Sequence, residues 1–270
     1  MKIILSRKGF DSSTGGYPSP ILPDNNLVSF PIPDEKDNVF YNQLYYNERT
    51  YLEIINELGI RGININSRCH LDPDIYSNII QREGDWRGSF GQKQGAQTHL
   101  DNNDVNKGDI FLFFGWFRKT VNTNAQLSYV GPDLHVIFGY LQIGKIIKTS
   151  DGNPEIPNWL IGHPHYANPE RRNYPNNTIY IASENLSINP DLPGFGTFKL
   201  NESLILTQEG QSRSKWNLPD IFKHVEISYH KDKSWKEDYF QSTGRGQEFV
   251  ISATKEIIDW TNNIILAGAY

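Results

Sequence analysis

From Ile110 to Phe117 the chain reads Ile-Phe-Leu-Phe-Phe-Gly-Trp-Phe, a continuous apolar and aromatic run. Such a run is either a strand buried on both faces or a helix buried all round, and the aromatic content favours the strand. Leu134 to Ile147 has the same character, interrupted by Gly139 and Gly144. Any fold this chain adopts must cover both faces of these two segments. The remaining elements therefore read as layers around a β-rich centre.

Several of those elements are visible. Ile3 to Leu5 reads as a buried first strand, and Leu27 to Ile32 as a second, closed by Pro33. Asn47 to Leu58 is helical by period, with Tyr51, Ile54, Ile55 and Leu58 on one face and Gly59 as its stop. Pro73 to Gln81 reads as a short helix. Thr178 to Ala182, Lys223 to Tyr229 and Phe249 to Ile251 read as strands, and Thr254 to Leu266 as a closing amphipathic helix. Residues 149–177 carry five prolines and form a long irregular excursion of the kind that usually carries function. No repeat or sharp composition shift divides the chain. Residues 1–270 are expected to form one compact α+β unit, mixed in class, with a β-rich core and flanking helices.

Composition narrows the function. The formal charge of −5 argues against holding duplex DNA by electrostatics alone, so a nucleotide-sized ligand or a local basic cleft fits better. The one cysteine, Cys69, excludes an intrachain disulfide and a Cys-based zinc cluster, and fits a reducing, cytoplasmic setting. The apolar run at the N-terminus is far too short for a signal peptide or membrane span.

Five turns carry residues capable of chemistry. Ser6-Arg7-Lys8-Gly9, leading to Asp11 and Gly15-Gly16, places two cations beside a glycine at a strand end. That arrangement suits a phosphate, with Asp11 orienting Arg7 or accepting from a ribose hydroxyl. The same residues also read as a polar turn with solvated charges. In His70-Leu-Asp72-Pro-Asp74 the alternate spacing puts three potential ligands or bases on one side of an extended segment. Asp72 ahead of Pro73 reads equally as a helix N-cap, the simpler assignment for it. Phe90-Gly91-Gln92, followed by His99, reads as a small-residue turn whose amide can meet an adenine edge.

His163-Pro164-His165 offers two imidazoles, but zinc needs a third ligand and Pro164 restricts the pair, so a zinc hydrolase is disfavoured. Gly244-Arg245-Gly246-Gln247-Glu248 puts a carboxylate at the head of an apolar strand, where Glu248 suits a general base. The nucleophile elbow, the dinucleotide fingerprint, the P-loop ending and the zinc-deaminase signature are all missing from the sequence.

The opening Lys2-Ile-Ile-Leu-Ser-Arg-Lys-Gly-Phe-Asp11 with Gly-Gly-Tyr-Pro-Ser-Pro20 resembles the nucleotide modification associated domain family of the third type. His70 to Asp74, Gly108 to Phe117, His135 to Gly144 and Arg245 to Val250 look like that family as well, so the resemblance runs from residue 2 to residue 250. It implies a part in phage and bacterial systems that alter DNA bases, with a nucleotide or nucleic-acid base as partner and other DNA-modification proteins as companions. It carries no assigned catalytic residue and no cofactor.

The Lys107-Gly-Asp109 turn and Phe138 to Gly144 are similar to the sheet of PUA-like base-reading domains, which implies a small barrel over about residues 105–185. Arg7 on a first strand and Glu248 opening a late one resemble ADP-ribosyltransferases acting on DNA, although neither a Ser-Thr-Ser nor a Glu-x-Glu pattern is present. Together these readings give a base- or nucleotide-modifying enzyme of transferase type, with a non-catalytic reader or accessory subunit as the alternative. Its acid/base groups would be Glu248, His70 and Asp72. Its substrate contacts would be Ser6, Arg7, Lys8, Asp11, Gln92, His99, Trp116, Arg118, Arg245 and Gln247. No metal site is assigned at this stage.

Overall fold

The computed structural model describes residues 1–124, 126–151, 154–244 and 246–269. The Ile110 run is a strand, the alternative its aromatic content favours. Along the chain, β1 (Lys2–Arg7), β2 (Ser19–Ile21), β3 (Arg68–His70), β4 (Ser89–Gln92), β5 (Ile110–Thr123), β6 (Gln126–Lys148), β7 (Thr178–Ala182), β8 (Phe195–Thr197) and β9 (Glu248–Ser252) are the strands that matter for the site. The helices are α1 (Tyr51–Glu57), α2 (Gln94–Asn102), α3 (Pro164–Ala167), α4 (Pro169–Arg172) and α5 (Lys255–Gly268).

The main sheet runs in the order β9-β1-β5-β6-β7-β4, with β2 added beside β5 and β8 beside β6. β1 lies parallel to β5 from Ile3 opposite Ile110 to Arg7 opposite Phe114, and antiparallel to β9. Alternation along β5 sends Phe111 and Phe113 to one face and Phe114 to the other. On the first face Phe111 and Phe113 pack with Phe90 and Tyr180. On the second, Phe114 packs with His135, Trp216 and Phe249. Each fully buried ring contributes roughly 1.5–3 kcal/mol. Leu100 of α2 and Ile257, Ile264 and Ile265 of α5 join the same core.

A smaller core fills out residues 10–80. Phe10, Phe30 and Tyr41 pack beneath Tyr51, Ile54 and Ile55 of α1. Thr50 caps that helix in a reciprocal box: its hydroxyl accepts from the Glu53 N–H at 3.1 Å, and the Glu53 carboxylate accepts from the Thr50 N–H at 2.7 Å. β3 pairs here with the short strands Ile32–Pro33 and Val39–Phe40.

Three local expectations change. No helix forms over Pro73–Gln81, because the Asp72 carboxylate accepts from the Gly91 N–H at 2.8 Å and Asp74 exchanges backbone hydrogen bonds with Ser89. The groups that would have started a helix are taken by β4. Within the expected strand Leu27–Ile32, Leu27 makes only an isolated bridge to Ile21. Residues 223–229 likewise contain the end of a 3₁₀ turn, Asp220–His224, and a single bridge at Ile227.

The barrel expected over residues 105–185 is also absent: β5, β6 and β7 lie side by side in an open sheet. β1 and β2 occupy the flank of β5 that closure would need. The α+β class holds. Among the described residues no helix is long and apolar enough to cross a membrane.

β1 and β2 share one flank of β5, and between them the chain leaves the sheet. At the exit the Lys8 N–H donates to the Phe114 carbonyl at 2.9 Å. Gly115 makes the crossing feasible, since a Cβ there would stand 2.8 Å from the Lys8 carbonyl oxygen. Gly115→Ala should therefore lower stability by about 1–3 kcal/mol, read as a fall in the urea midpoint at unchanged slope. An unchanged midpoint would show that the Lys8 crossing yields freely.

Candidate functional site

Four strand ends and one irregular segment converge where the chain leaves the sheet. β1 delivers Arg7 and Lys8, β9 opens with Glu248, β4 closes with Gln92, and β3 ends at His70 with Asp72 just beyond. The long excursion between β6 and β7 folds two short helices over them, with His163 as the N-cap of α3 and His165 inside it. A polar cleft of about 150 Å³ is lined in part by Arg7, Lys8, His70, Asp72, Gln92 and His165.

At one end of the cleft, Lys8 Nζ donates to Glu248 Oε1 at 2.7 Å, and Gln92 Nε2 donates to the same oxygen at 2.7 Å. The Glu248 side chain is 1% exposed, and its Oε2 is buried without a hydrogen-bond partner among the described residues. Lys8 Nζ also lies 4.5 Å from the centre of the Phe90 ring. Ser6 stands opposite Glu248 in the β1–β9 pair, and its buried hydroxyl likewise has no partner among the described residues.

At the other end three imidazoles surround one carboxylate. The Asp72 side chain, 4% exposed, has His163 Nε2 at 3.4 Å, His70 Nε2 at 3.6 Å and His165 Nε2 at 3.7 Å. Each ring is held from behind. His70 Nδ1 lies 2.7 Å from Asp37 Oδ2, and His165 Nδ1 lies 2.6 Å from Asn177 Oδ1. His163 Nδ1 accepts from the His165 backbone N–H at 3.2 Å. Arg171 of α4 in turn pairs with both Asp37 and Asp34.

These neighbours set the charge states. Burial alone pushes the Asp72 carboxyl up, but the imidazoles of His163, His70 and His165 outweigh it and hold the group far below the usual carboxylate range. Asp37 is lowered too, with His70 and Arg171 overcoming its burial. Burial pulls His70 down, and its two carboxylate neighbours more than reverse this. Burial dominates at His165, which falls to about 3 despite Asp72.

The remaining candidates divide. One Arg7 Nη2 donates to the carbonyls of Gly244 and Gly246, each at 2.9 Å, so the guanidinium braces the turn before β9. The Asp11 carboxylate accepts from the N–H groups of Ser13 and Thr14 and from the Ser13 hydroxyl, each at 2.7 Å. Gln247 lines the cleft beside Arg7. His99 sits near Glu248 but outside the cleft, with Nε2 2.9 Å from Ser228 Oγ and its ring against Tyr229.

Trp116 lies in a second, larger cleft of about 520 Å³, which shares Arg7 and Asp11 with the first. There the Arg213 guanidinium covers the Trp116 ring at 3.9 Å. Arg118 lines neither cleft and pairs with Asp133, Nε to Oδ1 at 2.8 Å. Asp74 is occupied by Arg82 and takes no part. Arg245 lies outside the described residues.

Sequence reasoning passed over His163 and His165 for want of a third ligand. The third and fourth groups, His70 and Asp72, lie some ninety residues away in sequence. Asp37, Arg171, Asn177 and Arg213 gave no local signal. Gly91 did, although it belongs to strand β4 and not to a turn. A Cβ on Gly91 would stand 2.3 Å from His165 Cγ, so only glycine lets that ring lie on the sheet. Gly91→Ala should cost about 1–3 kcal/mol and move the ring resonances of His165 and His70 in nitrogen–proton spectra, while exposed His224 stays in place. Unmoved His165 resonances would contradict the close packing.

No curated protein and no solved structure matches this chain. The family model described as nucleotide modification associated domain 3 matches residues 2–252 of the 270. Every strand that delivers a cleft residue lies inside that span, and the chain belongs to the nucleotide modification associated domain 3 family.

Proposed function

We propose that the protein is an enzyme that modifies a nucleotide or a nucleic-acid base, bound across the two adjoining clefts. The observation that carries this reading is their complementarity. The larger cleft offers an aromatic wall and cations, Trp116 under Arg213 with Arg7 beside them. The smaller is lined by groups able to move protons, Lys8, His70 and Asp72, with Glu248 paired to Lys8 directly behind it. Arg7 and Asp11 stand on the boundary.

A volume of about 520 Å³ suits a nucleotide, whereas about 150 Å³ admits only its reacting end. In this reading the first loop and Arg213 take the phosphate, Trp116 takes the face of the base, and Gln92 and Gln247 orient the reacting edge. Glu248, held through one oxygen by Lys8 and Gln92, keeps the other for a proton. The family assignment supports the nucleotide context, and the net charge of −5 favours a small ligand or a single base over a duplex.

The runner-up is a reader of modified bases without turnover, favoured by the Trp116–Arg213 ledge, which needs no acid/base group to hold a base. Two measurements separate the readings. Calorimetry with nucleoside monophosphates and short oligonucleotides should show binding that Arg213→Ala weakens roughly tenfold or more. Mass spectrometry of nucleosides from DNA of cells expressing the protein should show an altered nucleoside that disappears with Glu248→Gln while the variant still folds. Binding without an altered nucleoside would favour the reader, and neither signal would overturn both.

A further inference from the structure

The hydrogen bonds behind the imidazoles fix which ring nitrogens carry protons. Thr149 Oγ1 donates to the Arg172 carbonyl at 2.6 Å, so it accepts from Asn177 Nδ2 at 2.8 Å. Asn177 Nδ2 also donates to the His165 carbonyl at 2.8 Å, which turns Asn177 Oδ1 toward His165 Nδ1. An amide oxygen accepts, so His165 Nδ1 is the protonated nitrogen and the lone pair of the neutral ring is on Nε2. Asp37 likewise fixes a proton on His70 Nδ1, with Oδ2 at 2.7 Å, and so turns Nε2 toward Asp72. His163 has the opposite arrangement: its Nδ1 accepts from a backbone N–H, so the proton of the neutral ring is on Nε2.

His165 Nε2 therefore turns a lone pair to an Asp72 oxygen at 3.7 Å, and His70 Nε2 stands 3.6 Å from the same oxygen. The space between these three atoms takes either a proton on His70 Nε2 or a metal ion, and metal binding releases that proton. The surrounding charges point the same way. Asp34 and Asp37 share the guanidinium of Arg171 and Glu248 pairs with Lys8, so among the described residues the ion-pair partners of Asp72 are imidazoles alone.

We propose that His70, Asp72 and His165 bind a divalent first-row transition-metal ion through His70 Nε2, His165 Nε2 and an Asp72 oxygen. The three donor atoms all lie within 4.8 Å of one another. Ligands at about 2.0–2.1 Å from a tetrahedral ion sit roughly 3.4 Å apart, so the two Asp72–imidazole separations of 3.6 and 3.7 Å already lie close to that spacing. Two imidazoles and one carboxylate suit Zn²⁺, Fe²⁺ or Co²⁺, whereas Mg²⁺ and Ca²⁺ prefer an all-oxygen shell. Asp37 and Asn177 are the outer groups that commonly orient metal-binding histidines. His163 Nε2 stands 3.4 Å from Asp72 Oδ1 on the other side of the carboxylate, without a hydrogen bond among the described residues.

The alternative trio, Asp34, Asp37 and His70, is a poorer site, because Arg171 already pairs with both of its carboxylates. In the preferred site the open side of the ion faces the small cleft, where water or an anionic ligand oxygen completes its shell. The inference rests on the imidazole network alone and not on the nucleotide reading.

Its test is titration of the full chain, stripped by a chelator, with Co²⁺ as a visible probe. One Co²⁺ should bind per chain, giving d–d absorption bands of a four- or five-coordinate site, and Zn²⁺ should displace it. His70→Gln and His165→Gln should each weaken binding at least tenfold, with folding checked by circular dichroism, while exposed His224→Gln binds as the parent does. Absence of stoichiometric Co²⁺ binding by the parent chain overturns the proposal, whatever the variants do. So does binding that survives in both His70→Gln and His165→Gln. Nucleotide binding measured on the stripped protein is a separate result, so loss of one reading leaves the other standing.

Discussion

Lys8 meets Glu248 at 2.7 Å where the first strand leaves the main sheet and the last one enters it. The pair joins residues far apart in sequence and carries Gln92 of β4 as a third member. A carboxylate 1% exposed cannot be held charged without such partners, because desolvation outweighs a single contact. Breaking the pair from one side would leave the other charge stranded, at roughly 3–5 kcal/mol. The cluster therefore fixes how the first loop, the β9 turn and the end of β4 stand relative to one another, and with them one wall of the cleft. Arg7 adds a second tie by bracing the carbonyls of Gly244 and Gly246.

The opposite wall depends on a segment with little regular structure. The excursion between β6 and β7 contributes His163, His165, Arg171 and Asn177, and each is anchored by a hydrogen bond to another segment or to its own turn. Pro164 and Pro169 each open a one-turn helix, with His163 and Asn168 as caps. The prolines that made the stretch read as irregular are the residues that start its helices. A loop satisfied in this way is rigid enough to aim two imidazoles, which a solvated loop could not do.

Much of the frame was legible in the sequence. The aromatic run read as a doubly buried strand in preference to a buried helix, and the first, seventh and ninth strands and the closing helix followed from apolar runs between turn residues. The candidate site was legible as residue types at strand ends: Arg7, Lys8, His70, Asp72, Gln92 and Gln247 do line one cleft, with Glu248 directly behind it. What failed was competition between local and distant partners. Asp72 before Pro73 has the local pattern of a helix cap, but the N–H it accepts belongs to Gly91. His163 and His165 looked incomplete because their companions lie across a fold that no spacing rule reports. The barrel failed for a related reason, since β1 fills the flank of β5 that a closing strand would have needed.

Charge is distributed unevenly around the two clefts, and the direction of the imbalance bears on how a ligand would lie. Carboxylates gather under the small cleft at Asp72 and at Asp37, the latter paired with Arg171, while Arg213 stands at the large one and Arg7 between the two. A chain of net charge −5 offers no general attraction for a polyanion, so a phosphate is drawn only where those cations are. In the proposed complex, binding through the phosphate at Arg213 then carries the other end of the nucleotide toward Asp72, His70 and Glu248. A divalent ion at His70, Asp72 and His165 would soften the negative floor without reversing this polarity, since it would replace an excess of carboxylates by near neutrality. The same ion would give an incoming oxygen a reason to enter a cleft that, from its carboxylates alone, would repel it.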